Sequence, residues 1–185
     1  SGGLFPDPGT AGNLPSGESY IVPYEGEVPG EPSQSAGELP VQFGDEVVVY
    51  RIEGNRAVEV LSDGPESRRE GELLAREPAY GNIAELGLGV LGDFGIEPIG
   101  EVLLDEKLGL HIAFGRSEHF GGQVGPAQFS RPEAVVHQDR VYVPAIQPRV
   151  VAARVDLQRG DGLKLALMRD GRYVIDWNTF EDPEG

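Results

Sequence analysis

All three histidines of the sequence lie in one stretch, residues 103–142, and this stretch limits the folds that are open to the chain. His137-Gln138-Asp139 begins a segment that alternates as a strand does, and in a strand residues i and i+2 point to the same side. An imidazole nitrogen and a carboxylate oxygen can therefore face one cation together. His111 lies in an apolar run, LHIAFG, where a buried imidazole requires a partner. A backbone carbonyl and a metal ion are both suitable partners, and the sequence leaves the choice open.

Net charge and cysteine content limit the partners and the metal ligands that this chain can have. Against 31 acidic side chains stand 15 basic ones, a net charge of −16, which disfavours nucleic acid and anionic membrane surfaces as partners. Much of this charge is expected to form a solvated face. The sequence has no cysteine, so thiolate sites and disulfides are excluded. Any metal ligands must come from His, Asp and Glu.

The length of 185 residues fits one domain, 1–185, with loose ends expected at 1–12 and 178–185. No apolar run reaches the length of a membrane span, and the first residues lack a signal pattern; we therefore predict a cytoplasmic protein without a membrane partner. Ser1-Gly2-Gly3 favours a cut point over a natural start. The chain is accordingly expected to be a fragment.

Short strand-like runs separated by Gly and Pro predict a β-rich α+β fold, with a curved antiparallel sheet and one or two short helices. Gly54-Asn55 is typical of a tight hairpin turn, and Asp170-Gly171 predicts a second hairpin. Residues 25–39 are predicted to form a long surface loop. A helix is predicted at Ser67–Arg76, ended by Pro78. Strands are predicted at Ser19–Tyr24, Glu46–Ile52, Arg56–Leu61, Val141–Val143, Val150–Leu157, Leu163–Leu167 and Tyr173–Trp177.

Two acidic residues require separate interpretation. Glu85 is the single charge in the apolar run YGNIAELGLGVL, where an ionised carboxylate is costly unless it is paired or bound to a metal. An arginine partner and a metal ion remain equal alternatives for it. Glu18 follows the turn Asn13–Gly17 directly and precedes a strand. By itself this position is typical of an ordinary exposed residue.

Five segments, in this order, resemble the C-terminal half of the M29 family of metallo-aminopeptidases, which are aminopeptidase T-like or leucyl aminopeptidase enzymes. Each motif is short, but five in the same order are fairly specific, and the resemblance spans nearly the whole chain. Segments 161–162 and 168–173 also resemble the closing strands of the family. The five are NLPSGE at Asn13–Glu18, IAELGLG at Ile83–Gly89, LLDEK at Leu103–Lys107, HIAFG at His111–Gly115 and HQD at His137–Asp139.

The resemblance implies a centre of two divalent ions, zinc, cobalt or manganese, that activates a shared water for removal of N-terminal residues from peptides. Among the ligands it implies, Glu85 or Glu18 would also carry the proton. A peptide substrate and a homodimer, or a missing domain or partner chain, follow from the same resemblance. The implied metal ligands are Glu18, Glu85, His111, His137 and Asp139.

The sequence departs from the family pattern in two ways. The family has a tyrosine shortly after the position of His111, whereas this chain reads RSEHFGG there. Glu118 or His119 is the candidate for that place, and transition-state stabilisation is where the match is weakest. Family members also carry a sizeable N-terminal domain that helps to wall the site, and that domain is absent from this chain.

Two other functions are consistent with the same residues. His111, His137 and Asp139 alone make the set of two histidines and one carboxylate found in Fe(II) ring-cleaving dioxygenases, and dihydroxypyridine dioxygenases look similar to M29 proteins. A mononuclear iron site has no need of Glu18 and Glu85, whose presence favours two metals. A third hypothesis is a non-catalytic module that binds metal or mediates oligomerisation.

Overall fold

The computed structural model describes residues 16–175, so the loose ends predicted at 1–12 and 178–185 lie outside the described residues. Within the described range there are three antiparallel sheets and two short helices, which confirms the predicted β-rich fold class. No helix in this range is long and apolar enough to cross a membrane. The strands are β1 Glu18–Ile21, β2 Ala36–Phe43, β3 Glu46–Glu53, β4 Arg56–Val60, β5 Ile83–Gly89, β6 Leu110–Gly115, β7 His137–Val141, β8 Arg154–Gln158, β9 Lys164–Arg169 and β10 Arg172–Tyr173, and the helices are α1 Pro65–Arg76 and α2 Val102–Asp105.

A four-stranded sheet in the order β1-β5-β6-β7 forms the centre of the fold. The pairing of β5 with β6 shifts register between Ile83 and Glu85, which is the mark of a β-bulge. A bulge bends its strand and turns the next side chain toward a different face. The apolar run around Glu85 thereby becomes a central strand whose acidic residue lies on the sheet face opposite its exposed neighbour, Leu86.

The main core lies between this sheet and a second one in the order β2-β3-β4. Tyr50 and Phe114 are fully buried, with ring centroids 5.1 Å apart, and Tyr80 stacks on Phe114 at 5.7 Å. Gly54 and Asn55, with φ of 55° and 68°, turn β3 into β4 as the sequence predicts. Helix α1 covers this hairpin and begins two residues before the predicted Ser67, because Pro65 has the φ that the first helical turn requires.

Several boundaries predicted from sequence are wrong; the strand predicted at Val141–Val143, for example, is β7 and ends at Val141. The long loop predicted for 25–39 ends earlier, since β2 starts at Ala36 and pairs with β3 along its whole length. Its Gly and Pro content resembles a loop, but as an edge strand it tolerates Pro40. The strand predicted to start at Val150 starts at Arg154, where pairing with β9 begins.

The third sheet has the order β10-β9-β8. Asp170 and Gly171, with φ of 49° and 76°, form its hairpin turn as predicted. Met168 of β9 is buried in the main core, so this sheet is joined to the rest of the fold through β9.

Candidate metal centre

One face of the four-stranded sheet carries the five residues that the sequence singled out as metal ligands. Directly paired residues of an antiparallel sheet lie on the same face, and so do residues two apart along one strand. Glu85 and Asp139 flank Ala113 from the two neighbouring strands, and His111 lies one step along β6. His137 is two residues from Asp139, and Glu18 pairs with Gly89 at the edge of the same face.

Small residues alternate with these side chains and leave room for them. Gly87 is paired with His111, and a Cβ at Gly87 would lie 1.9 Å from Nε2 of His111. A Cβ at Gly89 would lie 2.4 Å from the backbone carbon of Lys107. The two glycines of β5 therefore admit an imidazole and a crossing main chain onto the sheet face.

Both histidines on this face are held by backbone carbonyls through Nδ1. His137 Nδ1 donates to the carbonyl oxygen of Arg116 at 2.7 Å, and His111 Nδ1 donates to that of Gly109 at 3.2 Å. A carbonyl can only accept, so Nδ1 carries the hydrogen and Nε2 faces the carboxylates. This arrangement, with the outer nitrogen fixed by a second partner, is the usual one for metal-binding histidines.

Glu85 joins the two histidines. Its Oε1 is 3.3 Å from His111 Nε2 and its Oε2 is 3.1 Å from His137 Nε2. Burial opposes ionisation of Glu85, but the hydrogen bonds from both histidines outweigh burial and lower the pKa of this carboxyl group to about 2. Glu85 thus has histidine partners, and no arginine among the described residues lies within ion-pair distance of it.

The pKa values of His111 and His137 are raised, whereas that of Glu85 is lowered. Burial lowers the pKa of His137, but the carboxylates of Asp139 and Glu85 and the carbonyl of Arg116 outweigh burial and raise the pKa to about 10. The pKa of His111 is also raised, because Glu85 and the Gly109 carbonyl outweigh its burial. Without a metal, a protonated His137 supplies positive charge to this cluster of carboxylates.

Ligand atoms converge in two groups, each with atoms within 4.8 Å of one another: the Glu18 group, made of Glu18, Glu85 and His111, and the Asp139 group, made of Glu85, His137 and Asp139. Within the part of the chain that the structure describes, Glu18 Oε2 and Asp139 Oδ1 are buried oxygens that accept no hydrogen bond. Buried polar atoms are normally satisfied. One free carboxylate oxygen in each group, beside an imidazole Nε2, fits an oxygen- and nitrogen-binding divalent cation in each.

Glu106 and Lys107 also line this site, although neither is among the ligands that the sequence predicts. Lys107 Nζ lies 2.8 Å from Glu18 Oε1 and 2.8 Å from Glu106 Oε1. Burial raises the pKa of Glu106, and the negative charges of Asp139 and Glu18 add to this rise while Lys107 opposes it. Both residues lie in the LLDEK segment, where their charged side chains have no local feature that marks them as part of a site.

Of the two candidates for the missing tyrosine, His119 faces the site and Glu118 does not. The ring of His119 meets the ring of His137 edge-on at a centroid distance of 4.9 Å, and Phe120 contacts the same ring at 5.2 Å. Glu118 is half exposed and pairs with Arg116 at 2.7 Å. Burial, followed by the nearby charges of His137 and Arg116, lowers the pKa of His119, so it is the more readily neutral imidazole.

A carboxylate from a distant loop holds the segment that carries His119. Glu25 Oε1 accepts hydrogen bonds from Ser117 Oγ at 2.6 Å and from Asn82 Nδ2 at 2.7 Å, and its Oε2 accepts one from the backbone nitrogen of Gln123. Ser117 and Asn82 are almost fully buried. Glu25 therefore fixes the loop between β6 and β7 whose first residue, Arg116, orients His137.

A cleft of about 960 Å³ opens onto the carboxylates. Tyr20 and Phe120, whose ring centroids are 4.9 Å apart, line it on one side together with His119, and Val102 and Leu103 also line it. The cleft is large enough for a small organic molecule or the end of a peptide. Its polar floor is acidic, which favours cations and protonated amines.

Comparison with solved structures finds a likeness to wild-type AmpT from Thermus thermophilus, with 25% sequence identity and a TM-score of 0.52. The match covers 88% of this chain and 41% of that chain, so the present chain spans less than half of the AmpT chain. This likeness supports an M29-like fold. No family model and no curated protein matches the sequence.

Proposed function

We propose that this chain is the metal-binding part of a metal-dependent aminopeptidase, which removes N-terminal residues from peptides by means of a metal-activated water. The observation that carries the proposal is the pair of ligand groups joined by Glu85, each with a buried carboxylate oxygen that lacks a hydrogen-bond partner among the described residues. The likeness to AmpT, a metallo-aminopeptidase, supports it. The supporting match extends over part of that enzyme, so the activity of the whole protein is part of the proposal.

Glu18, Glu85 and His111 would hold one ion, and Glu85, His137 and Asp139 the other. When bound, such ions lower the pKa of a water and polarise a peptide carbonyl. With oxygen and nitrogen donors alone, zinc, cobalt and manganese all suit the set. Glu85 has one oxygen toward each histidine, and it would hold or pass on a proton between the two groups when it is only loosely bound to metal.

The acidic floor of the cleft would orient the substrate. A free α-amine is positively charged near neutral pH, and Glu18, Glu106 and Asp139 surround the place where such a group would enter. His119 lies beside His137 at the cleft wall and can donate a hydrogen bond to an oxygen that gains negative charge. The aromatic and aliphatic walls would exclude water from the reacting bond.

The geometry favours this function over an Fe(II) dioxygenase. The iron alternative requires His111, His137 and Asp139 to meet at one point, and these three do not form one of the convergent groups found among the described residues. Each convergent group contains Glu85, which a mononuclear iron site does not require.

Metal content and hydrolysis test the proposal. Protein purified without chelating resin and then supplied with Zn²⁺, Co²⁺ or Mn²⁺ is expected to retain up to two ions per chain and to cleave Leu-Gly-Gly but not its N-acetylated form. Glu85→Gln should lower the rate by about 10²-fold or more. Glu46→Gln is the control, since Glu46 at the start of β3 likewise accepts side-chain and backbone hydrogen bonds, but its donors lie in the first turn of α1 and it does not line the cleft.

Three results would count against the aminopeptidase. Saturation at one iron with oxygen uptake on a dihydroxypyridine would favour the dioxygenase. Equal cleavage of the acetylated peptide would remove the role of the free amine. Metal binding without hydrolysis of any peptide would favour the non-catalytic alternative.

A further inference from the structure

Lys107 places a fixed positive charge inside the candidate centre. Its side chain is 16% exposed, and its ammonium lies 2.8 Å from a carboxylate oxygen of both Glu18 and Glu106, which are 10% and 13% exposed. The backbone of Lys107 passes directly over Gly89, where a Cβ would lie within 2.5 Å of it. The main chain of Lys107 is therefore fixed against β5, and two carboxylates hold its ammonium beside Glu18.

The two ligand groups differ in their relation to this charge. In the Glu18 group, one oxygen of Glu18 is already paired with Lys107 and the other is 3.8 Å from His111 Nε2. In the Asp139 group, Asp139 has His137 at 3.6 Å as its ion partner within residues 16–175. A cation entering the Glu18 group meets the ammonium and competes with it for Glu18, whereas neither Asp139 nor His137 forms an ion pair with Lys107 in the part of the chain that the structure describes.

We infer that Lys107 makes the two ligand groups unequal, so that the Asp139 group binds the first divalent ion tightly and the Glu18 group binds the second more weakly. The inference rests on the proposed metal centre. Repulsion between an ammonium and a divalent ion a few ångströms away is strong in a partly buried site, and salt screens it little. The same ammonium offsets the repulsion between Glu18 and Glu106 when no metal is bound.

The consequence is a centre whose second ion is exchangeable. The tight group keeps its ion at low free metal concentration, and occupancy of the Glu18 group follows the metal supply. Glu85 belongs to both groups. Lys107 would therefore make occupancy of both groups at once depend on the concentration of available metal.

Calorimetric titration of CoCl₂ into the metal-free protein tests the inference. Wild type should show two events whose affinities differ by at least about tenfold. Asp139→Asn should remove the tight event, and Glu18→Gln the weak one. Lys107→Met and Lys107→Gln should strengthen the second event by about tenfold, while Lys107→Arg should keep the wild-type difference.

Lys164→Met is the matched control, because Lys164 is the one other lysine of the sequence and is exposed on β9. It should leave both events unchanged. Two events of equal affinity in wild type, or loss of the tight event in Glu18→Gln, would overturn the inference and leave the metal centre standing. Absence of any Co²⁺ binding to wild type would overturn the metal centre and the inference together. The single-site variants Asp139→Asn and Glu18→Gln decide the order even if the Lys107 variants do not fold.

Discussion

Gly87→Ala adds one methyl group beneath the His111 ring and so tests the packing of the candidate centre against β5. Gly87 lies opposite His111 in the β5–β6 pairing, and a methyl group there would lie 1.9 Å from Nε2 and 2.1 Å from Cε1 of the His111 ring. Such contacts are far inside van der Waals distance. His111 is completely buried, so the ring has little room to move aside. Either the ring leaves its place beside Glu85 or the strands separate locally.

The cost follows from this geometry. Forcing an additional methyl group into a packed interior typically destabilises a protein by about 1–3 kcal/mol. Displacement of His111 also breaks its hydrogen bond to Glu85 and removes one nitrogen ligand from the Glu18 group. We therefore expect Gly87→Ala to lose about 1–3 kcal/mol of unfolding free energy without metal and to lose binding of one ion, while the Asp139 group still binds the other.

Urea unfolding in EDTA and calorimetric titration of Co²⁺ measure the two effects separately. Gly71→Ala is the matched control: Gly71 lies inside α1, and a Cβ there meets nothing within 4 Å. That substitution should stabilise the protein by about 0.5–1 kcal/mol and leave metal binding unchanged. Wild-type stability together with wild-type binding of both ions in Gly87→Ala would refute the placement of His111 against the β5 backbone.

Two further substitutions test the groups around the centre. Glu25→Ala should cost about 1–3 kcal/mol, because it leaves buried donors unpaired, and should also weaken Co²⁺ binding, whereas Glu46→Ala should lower stability and leave binding intact; equal binding in both variants would exclude Glu25 as a support of the site. In EDTA, the difference in unfolding free energy between wild type and Glu85→Gln should be largest between pH 4.5 and 6.5. In this range Glu85 is ionised and His137 is protonated in the folded and in the unfolded chain. It should shrink as the pH falls toward 2, where folded Glu85 takes up its proton, and as it rises toward 10, where His137 loses its own; urea curves across this range that keep one constant difference would contradict the ion pairs.

The elements that local pattern specifies were predictable from sequence. The Gly54-Asn55 turn and the alternation around His137 depend on neighbouring residues, and both are where the sequence predicts them. The apolar run around Glu85 predicts a partner for the charge, either an arginine or a metal ion; the partners among the described residues are histidines, and the metal stays a prediction. That the partners are two histidines depends on the β5–β6–β7 register, which no local pattern contains.

Residues whose roles depend on distant parts of the chain were missed. Glu25 lies in a loop rich in Gly, Pro and Glu, and its donors, Asn82 and Ser117, are far away in sequence. Lys107 reaches Glu18 because the crossing of its backbone over Gly89 positions it there. In both cases the sequence shows the charged residue, but strand pairing determines which groups lie beside it.

The distribution of the ligands over one sheet bears on the order of events during folding. The Glu18 group takes its ligands from β1, β5 and β6 and the Asp139 group from β5 and β7, so each group exists only after strands that are distant in sequence have come together. Pairings between distant segments form late and slowly. A metal ion that binds only the assembled sheet cannot accelerate its formation, but it must be released before the strands separate. Bound metal is therefore expected to slow unfolding and to leave the folding rate unchanged, so that the ion contributes to kinetic stability.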